Sequence, residues 1–457
     1  MKIGQFINNS IKNYGHHQEF FKWVVDSPDQ CRLYQPIEIK DALKNLYKNN
    51  ESLGLYAQKD IKEKSDILMV STQKCITGLE LVGSDRMKSF EINNVVNKVA
   101  SKYYENNLSQ LHYTTNLLKI VVQLFVHQQD KGMQLYPYSS YLQTKQQYNP
   151  MYWDKKVLSG VYDSHLASLI ASTKNHLENI YKDLQEEKLF GIDYQYFMQL
   201  MSIARSMNQN FIPEDPKNFD LNSVVIMCPL IDMVNHEFKP NCKIEGRYYQ
   251  HESDSYVVLR SIRDIKQGEQ LTINYGNFHN YDFLMRYGFA SINNKFNEMP
   301  ISLDFSDFLE YTGQSIPDFS LDKFIIHQNK INSDLLAILR IYFLTEEDLE
   351  NNYEIASYLF SHFKNKISDK NEKLISEFMI HALQQEKIKC EKIKRNTLDI
   401  NLLSKQNGEL IDLQSLKDLD YISDVNYRHM LQICIEMELI IQSNIQFFSK
   451  KLQNLNM

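Results

Sequence analysis

Two segments of the sequence carry side chains that could do chemistry together. Asn235 and His236 end the stretch 229–236 and offer hydrogen-bonding groups, while Tyr275 stands before a glycine at the end of an alternating strand pattern. Alone, His236 is typical of a loop residue, because Glu237 follows it without the second histidine of the H-E-x-x-H zinc-protease motif. Alone, Tyr275 is typical of a strand tyrosine with its hydroxyl at the surface. In combination these side chains indicate a pocket that binds a ligand.

Aromatic and basic side chains extend this set. Tyr287 and Phe289 follow in the sequence and are the residue types of an apolar channel, although both also fit a hydrophobic core. Such a channel disfavours an ammonium group by desolvation, which lowers the pKa of a lysine from its solution value of about 10.4. Arg205 follows an apolar helical run, so a helix-end arginine that binds carbonyl groups explains it as well as a ligand contact does.

Strands are the first elements needed to position these residues. Short apolar runs that alternate with turns predict strands. Such runs fall at residues 53–57, 67–70, 223–226, 256–262 and 271–275. The segments 60–62 and 264–266 both read Asp-Ile-Lys. Because so few positions match, we interpret them as two similar hairpins and not as a repeat.

Helical patterns separate and follow these strands. Between about residues 93 and 211 the apolar residues recur at helical spacing, with Asp163 as a candidate helix cap. After about residue 300 the pattern is helical to the end, and Ser333 is the candidate cap of a helix over 335–344. The sequence therefore predicts an α+β protein with a β-rich core, a helical insertion and a second, all-helical domain.

The motifs at 235–236, 275–276 and 287–289, taken together, resemble the SET-domain methyltransferases, and within them the Rubisco large-subunit methyltransferase type. Other matching segments cover nearly the whole chain in order: 54–57 with 60–61, the aromatic and proline pattern Tyr138, Tyr141, Leu142, Tyr148, Pro150 and Trp153, then Arg205-Ser206, 335–340 with 345–347, and 367–368 with 371–372. The resemblance implies an α+β fold: a β-rich SET core with a pseudo-knot and a helical insertion, followed by an all-α substrate-binding domain. It implies an N-terminal helical lead-in at 1–50, the first half of the SET core at 51–92, the insertion at 93–220, the second half of the core at 221–299 and the substrate-binding domain at 300–457.

The resemblance also implies S-adenosylmethionine as the cofactor. The residues expected to bind it are Gly54, Leu55, Tyr56, Glu80, Arg205, Asp232, Asn235, His236, Tyr275 and Phe289. The fork-like donors of Arg205 suit the carboxylate of the cofactor, whereas Asn235 and His236 suit its amino group and adenine edge. Glycine in the first hairpin lets backbone approach the ligand closely. We expect no metal, because Cys390 and Cys434 are unsuitably spaced for the zinc segment that follows some SET cores.

Catalysis is implied to rest on Tyr275 and Tyr287, with a substrate channel formed by Ser206, Ile231 and Tyr287. Methyl transfer from a sulfonium is an in-line displacement, so the protein must align the nucleophile, the methyl group and the sulfur, and must present an uncharged amine. A tyrosine hydroxyl beside the methyl group accepts weak contacts from its polarised hydrogens. The resemblance gives that position to Tyr275.

Three functions stay open at this point. The chain also resembles the actin histidine methyltransferase, in which an asparagine follows the matching arginine. Here Ser206 stands at that position and Tyr287 is retained, which favours a protein-lysine methyltransferase over a histidine methyltransferase. The third alternative is a non-catalytic SET protein that uses its helical tail as an interaction scaffold.

Composition bounds the partners and the compartment. The 457 residues carry a net charge of -7 with scattered basic residues, so we expect no direct nucleic-acid binding. No apolar run nears the roughly 18 residues of a membrane helix, and the polar start lacks the apolar stretch of a secretory signal. The six cysteines form no C-x-x-C pair. We expect a monomer in the cytoplasm or nucleus, whose insertion and C-terminal helical domain dock a protein substrate.

Overall fold

A computed structural model describes fifteen stretches of the chain. These are residues 17–41, 53–78, 86–145, 148–153, 157–158, 165–188, 191–207, 209–211, 224–252, 254–291, 293–303, 321–328, 331–351, 360–402 and 425–455. The chain divides into two compact units. The first unit is Met1–Tyr152, Ala171–Asn277 and Arg286–Gly288; the second is Trp153–Ile170, Phe278–Met285 and Phe289–Met457.

Short strands build the sheets of the first unit. They are β1 (Cys31–Leu33), β2 (Ile37–Asp41), β3 (Leu53–Ala57), β4 (Asp66–Ser71), β5 (Ile76–Thr77), β6 (Gln209–Phe211), β7 (Val224–Met227), β8 (Asn235–His236), β9 (Cys242–Tyr249), β10 (Asp254–Ser261) and β11 (Thr272–Ile273). The largest sheet is antiparallel with the order β1-β4-β10-β9, beside the sheets β5-β7-β6, β2-β3 and β11-β8. Since β4 lies between two other strands, its residues after Asp66 are all buried.

The first helix of the first unit is α1 (Gln18–Val25), and the other helices follow it in the chain. They are α2 (Arg86–Tyr104), α3 (Leu108–Gln129), α4 (Tyr136–Gln143), most of α5 (His165–Glu186) and α6 (Tyr194–Met207). The hydrophobic face of α1 buries Phe20, Phe21 and Val24 at a period that fits one side of a helix. Helices therefore separate β5 from β6, as the sequence predicts for the insertion.

The two Asp-Ile-Lys segments pair with each other. Ile61 and Ile265 exchange backbone hydrogen bonds of 2.8 Å in both directions, and both side chains are buried. Lys62 pairs with Asp264 at 3.0 Å and Lys266 with Asp60 at 3.1 Å. The shared Asp-Ile-Lys sequence thus belongs to two paired segments, in which the aspartate of each binds the lysine of the other.

The second unit combines one hairpin with long helices. Its elements are most of α7 (Asn280–Tyr287), β12 (Glu298–Leu303), β13 (Leu321–His327), α8 (Ser333–Tyr342), α9 (Glu346–Asn351), α10 (Asp369–Leu402) and α11 (Val425–Leu455). The strands pair antiparallel, and α10 packs along α11. No helix in the described stretches has the length and apolar character that crossing a bilayer requires.

Three local predictions differ from the structure. The lead-in at 1–50 contains β1 and β2 after its helix, and the β12–β13 hairpin precedes the helices expected from residue 300 onward. The cap of α8 is Asn332 and not Ser333, because the Asn332 side chain accepts hydrogen bonds from the backbone N–H of Asp334 at 2.8 Å and of Leu335 at 3.3 Å. Asp163 lies outside the described residues.

Candidate active site

A parallel strand pair brings the two chemical segments together. β8 and β11 pair so that Asn235 lies opposite Thr272 and His236 opposite Ile273. Immediately after β11, the backbone N–H of Tyr275 donates to His236 Nδ1 at 3.1 Å. Tyr275 follows His236 by 39 residues in the chain. The hydrogen bond between them therefore brings the Asn-His dipeptide and Tyr275 into one site.

His236 is a neutral imidazole in this site. Burial lowers the pKa of His236 to about 4, against a smaller opposite effect of the Glu237 carboxylate. Because Nδ1 accepts the hydrogen bond from Tyr275, the ring carries its proton on Nε2. His236 can therefore act as a hydrogen-bond donor without bringing a positive charge.

Tyr275 is fixed at both its backbone and its hydroxyl. The hydroxyl donates to the backbone carbonyl of Val234 at 2.8 Å, and the ring centroid lies 5.4 Å from that of His236. Burial raises the pKa of Tyr275, and the nearby Tyr287 and Asp232 raise it further. Since the hydroxyl proton is engaged by Val234, the oxygen can act only as a hydrogen-bond acceptor toward any further group.

Tyr287 lies beside Tyr275 because of an unusual backbone position at Gly288. The two tyrosine ring centroids are 4.9 Å apart with a 40° tilt. Gly288 has φ +79°, and a methyl group there would lie 2.9 Å from the backbone N of Asn149 and 3.0 Å from the carbonyl carbon of Tyr148. Only glycine fits this close approach, which seats the end of α7 against the segment at 148–149.

That segment is in turn attached to α6. The Asn149 side-chain amide donates to the Ser202 hydroxyl, one turn before Arg205 and Ser206. Ser206 donates its hydroxyl proton to the carbonyl of Ile203 at 3.3 Å. Arg205 is half-buried. Burial of His176 lowers the pKa of that histidine, and the charge of Arg205 lowers it further. The structure places both predicted residues in the last turn of α6.

Gly54 on β3 lies directly beside Asn235. A methyl group at Gly54 would lie 3.0 Å from Asn235 Nδ2 and 2.5 Å from Gln270 Nε2. Leu55 is fully buried, and its carbonyl accepts from the Leu271 N–H at 2.7 Å. Tyr56 is half-buried, with Lys40 Nζ 5.3 Å from its ring centroid. The first hairpin thus brings a glycine backbone to the Asn-His dipeptide.

Asp232 is held by two donors from the protein. Its carboxylate accepts from the Tyr138 hydroxyl, and from the backbone N–H of Cys228 at 3.0 Å. Burial raises the pKa of Asp232 to about 8, while both hydrogen bonds act in the opposite direction. Ile231, which precedes it, is fully buried.

Two further predicted cofactor residues stay predictions. Phe289 belongs to the second unit, where its ring stacks on Phe283 with centroids 5.0 Å apart, as a core aromatic would. Glu80 lies outside the described residues. In the described stretches, no group of three or more His, Cys, Asp and Glu side chains could hold a metal.

Sequence reasoning missed two neighbours of the site. Gln270 lies just before β11 in a β-bridge with Tyr56, and no local pattern distinguishes it from a surface glutamine. The sequence marks Tyr138 only as part of an aromatic pattern, and its hydrogen bond to Asp232 spans 94 residues. Neither contact has a signal in residue spacing, since both depend on how distant elements pack.

Comparison with known proteins gives the class of this protein. The family model described as SET domain matches residues 52–276, which include the first hairpin, the Asn-His dipeptide and Tyr275. Over these residues the chain contains a SET domain.

Curated relatives place it beside two kinds of methyltransferase. It is 25% identical over 184 residues to the chloroplastic ribulose-1,5 bisphosphate carboxylase/oxygenase large subunit N-methyltransferase of Nicotiana tabacum, covering 36% of this chain and 35% of that protein. It is 23% identical over 371 residues to the actin-histidine N-methyltransferase of Canis lupus familiaris, covering 75% of this chain and 56% of that protein. The matched part thus spans between about a third and about half of these two relatives.

Solved structures agree over a longer stretch. The SET domain of LSMT bound to lysine and AdoHcy matches with a TM-score of 0.64 at 18% identity, covering 96% of this chain and 92% of that one. Rubisco LSMT bound to AdoMet matches with a TM-score of 0.61 at 19% identity, over 96% and 92% of the two chains. The likeness shows a common fold, in which a mixed α+β SET core precedes a helical region.

Proposed function

We propose that this protein binds S-adenosylmethionine and transfers its methyl group to a lysine side chain of another protein. The observation that carries the proposal is the position of Tyr275, held by His236 and Val234 next to Tyr287. The matched solved structures include complexes with AdoMet, AdoHcy and lysine, and the tobacco relative is an N-methyltransferase. These likenesses in fold and sequence support the proposal.

The residues of the first unit fit the cofactor. The absence of a side chain at Gly54 lets the amides of Gln270 and Asn235 approach its backbone, where any side chain would collide with them. We propose that the cofactor contacts the backbone of this glycine. The Asn235 amide and the neutral His236 provide uncharged hydrogen-bonding groups for an amino group and an adenine edge. When bound, S-adenosylmethionine supplies an activated methyl group on a sulfonium. Arg205 is proposed as the partner of its carboxylate.

The protein's part in the reaction is positioning and desolvation. Tyr275 and Tyr287 form an aromatic pair. An ammonium ion that loses its hydration there is disfavoured, and the uncharged amine is favoured. The hydroxyl of Tyr275 keeps its proton on Val234 and presents its lone pairs. Alignment of nucleophile and methyl group accounts for most of the rate gain in such a displacement. We assign the channel to Ile231, Ser206 and Tyr287, and docking of the substrate protein to the insertion and the C-terminal helices.

Histidine is the second candidate for the target side chain. The similarity to the dog actin-histidine N-methyltransferase covers 75% of this chain, more than the similarity to the tobacco protein does. Ser206 and Tyr287 favour lysine. Transfer of a labelled methyl group to total cell protein, followed by hydrolysis and amino-acid analysis, distinguishes methyl-lysine from methyl-histidine.

Calorimetric titration with S-adenosylmethionine tests the cofactor site. We expect saturable binding that Asn235→Ala weakens, because this substitution removes the amide beside Gly54. Binding that Asn235→Ala leaves unchanged would contradict the proposed pocket. Absence of binding by the folded wild-type protein would favour the non-catalytic scaffold.

Replacement of Tyr275 by Phe tests the reaction. We expect turnover to fall by about 100-fold or more while cofactor affinity changes little, because only the hydroxyl is lost. Tyr34→Phe is the matched control, since Tyr34 is 48% exposed on the surface. Equal turnover of the wild type and Tyr275→Phe would remove the assigned role.

A further inference from the structure

The side chain of Gln270 carries a buried donor beside the proposed cofactor site. Its Nε2 is shielded from solvent, and no hydrogen-bond partner for that atom lies among the described residues. The backbone of Gln270 is well tied, since its carbonyl accepts from Asn241 Nδ2 at 2.7 Å and the residue bridges to Tyr56 on β3. The backbone of Gln270 is therefore fixed, whereas its side-chain Nε2 has no hydrogen-bond partner among the described residues.

The amide of Gln270 lies beside a glycine and a second side-chain amide. A methyl group at Gly54 would meet Gln270 Nε2 at 2.5 Å and Asn235 Nδ2 at 3.0 Å, so the two amides flank the same glycine. Both can present N–H groups, and two adjacent donors suit an oxygen-rich, anionic group. The last bond of a glutamine side chain rotates freely enough to turn the donor toward either side of Gly54.

An unsatisfied buried donor costs free energy in the folded protein. Removing the donor from water without a hydrogen bond costs about 1–3 kcal/mol by general measurements on proteins. A buried polar group of this kind calls for an explanation, and an acceptor on a bound ligand would supply one. The contrast is Gln123, a buried glutamine of the same unit whose Nε2 donates to the carbonyl of Thr77 at 2.6 Å.

We propose that Gln270 is a cofactor-binding residue that donates, together with Asn235 Nδ2 and beside Arg205, to the carboxylate at the amino-acid end of S-adenosylmethionine. The amide oxygen of Asn235 then accepts from the amino group of the same end. This inference rests on the proposed function and adds a residue to its site. The carboxylate is the group of the cofactor that two uncharged N–H donors serve best, because a charged acceptor strengthens each hydrogen bond. The adenine end would gain less from the same pair of donors.

Gln270→Met tests the proposal with a side chain of similar length and no donor. In the ligand-free protein we expect an unfolding temperature equal to or above that of the wild type, because no hydrogen bond of the side-chain donor is lost. Titration with S-adenosylhomocysteine should show binding weakened by about 10-fold or more. Titration with methylthioadenosine, which lacks the amino-acid end, should give the same affinity for both proteins.

Gln123→Met is the matched control and should behave in the opposite way. It should lower the unfolding temperature, because the hydrogen bond from Gln123 to the carbonyl of Thr77 is lost. It should leave the affinity for S-adenosylhomocysteine unchanged. Equal S-adenosylhomocysteine affinity of the wild type and Gln270→Met overturns the inference while leaving the proposed function intact. An equal loss of methylthioadenosine affinity also overturns it, since the effect would then lie outside the amino-acid end. No binding of either ligand to the wild type would instead count against the proposed function itself.

Discussion

Two sets of ion pairs, one in each unit, lie in opposite environments. In the first unit, Lys62 with Asp264 and Lys266 with Asp60 join the two Asp-Ile-Lys segments through side chains that are 52–83% exposed. In the second unit, Arg340 pairs with Glu372 at 2.6 Å through side chains that are 7% and 1% exposed. Exposed pairs gain little from their attraction because water screens it, whereas a buried charge depends on its partner. The same pairing thus has different consequences for stability.

Hydrogen bonds complete the buried pair. Arg340 also donates to the backbone carbonyls of Phe363 at 2.9 Å and Lys364 at 2.7 Å, and Lys451 contacts the second oxygen of Glu372. Burial alone would raise the pKa of Glu372, but Lys451 and Arg340 together hold it below its ordinary value. This carboxylate therefore joins α8, α10 and α11 within the second unit.

Glu372→Gln should produce the largest effect, because it leaves the buried Arg340 without its counter-charge. We expect a loss of about 3–5 kcal/mol in the free energy of unfolding, measured by urea denaturation. Glu377→Gln on the same helix is the matched control for loss of one carboxylate and should change little. Similar midpoints for the two variants would erase the distinction between the two environments.

The sequence predicted the pieces of this architecture better than their contacts. Local patterns located the strands at β3, β10 and β11 and the long helices, because hydrophobic period and turn chemistry act over a few residues. The resemblance to SET proteins brought Asn235, His236 and Tyr275 into one expected site. Their pairing through β8 and β11 is a long-range contact for which spacing carries no signal.

The misses have the same physical origin. Asn332 and Ser333 are both good caps, and only the backbone conformation of Asn332 decides between them. The reciprocal ion pairs of the Asp-Ile-Lys segments depend on which strands become neighbours, as does the position of Gln270 beside Gly54. Sequence reasoning named the side chains of the site from the family pattern, and it missed the ones whose role arises from packing.

His429 extends the comparison to pH. Burial lowers the pKa of His429 to about 3, with a further effect of Arg428, and Nδ1 accepts from the Ala290 N–H at 3.3 Å. In the unfolded chain the histidine takes up a proton near pH 6.5, whereas in the folded protein it stays neutral at that pH. The contribution of His429 to the free energy of unfolding is therefore complete above pH 6.5 and is lost as the pH falls. By pH 5 the loss amounts to about 2 kcal/mol.

His429→Gln removes this titration and keeps a polar side chain. The difference in unfolding free energy between wild type and variant should shrink by about 2 kcal/mol from pH 7.5 to pH 5. Glu436 on the same helix contributes with the opposite sign, since burial raises its pKa to about 7, but it is present in both proteins and cancels in the difference. A difference independent of pH would mean that the folded protein protonates His429 as readily as the unfolded chain does.

The exposed pairs of the first unit should show the smallest effect. Asp60→Asn keeps an oxygen for the backbone N–H of Gln267, which donates to Asp60 Oδ1 at 2.9 Å, and removes only the charge facing Lys266. We expect the midpoint of urea unfolding to stay within error of the wild type at both low and high salt. Ile61→Val is the control in the same segment and should cost about 1 kcal/mol, because Ile61 is 1% exposed and the substitution removes a buried methylene. If Asp60→Asn proved more costly than Ile61→Val, the ion pairs and not the buried isoleucines would hold the two segments together.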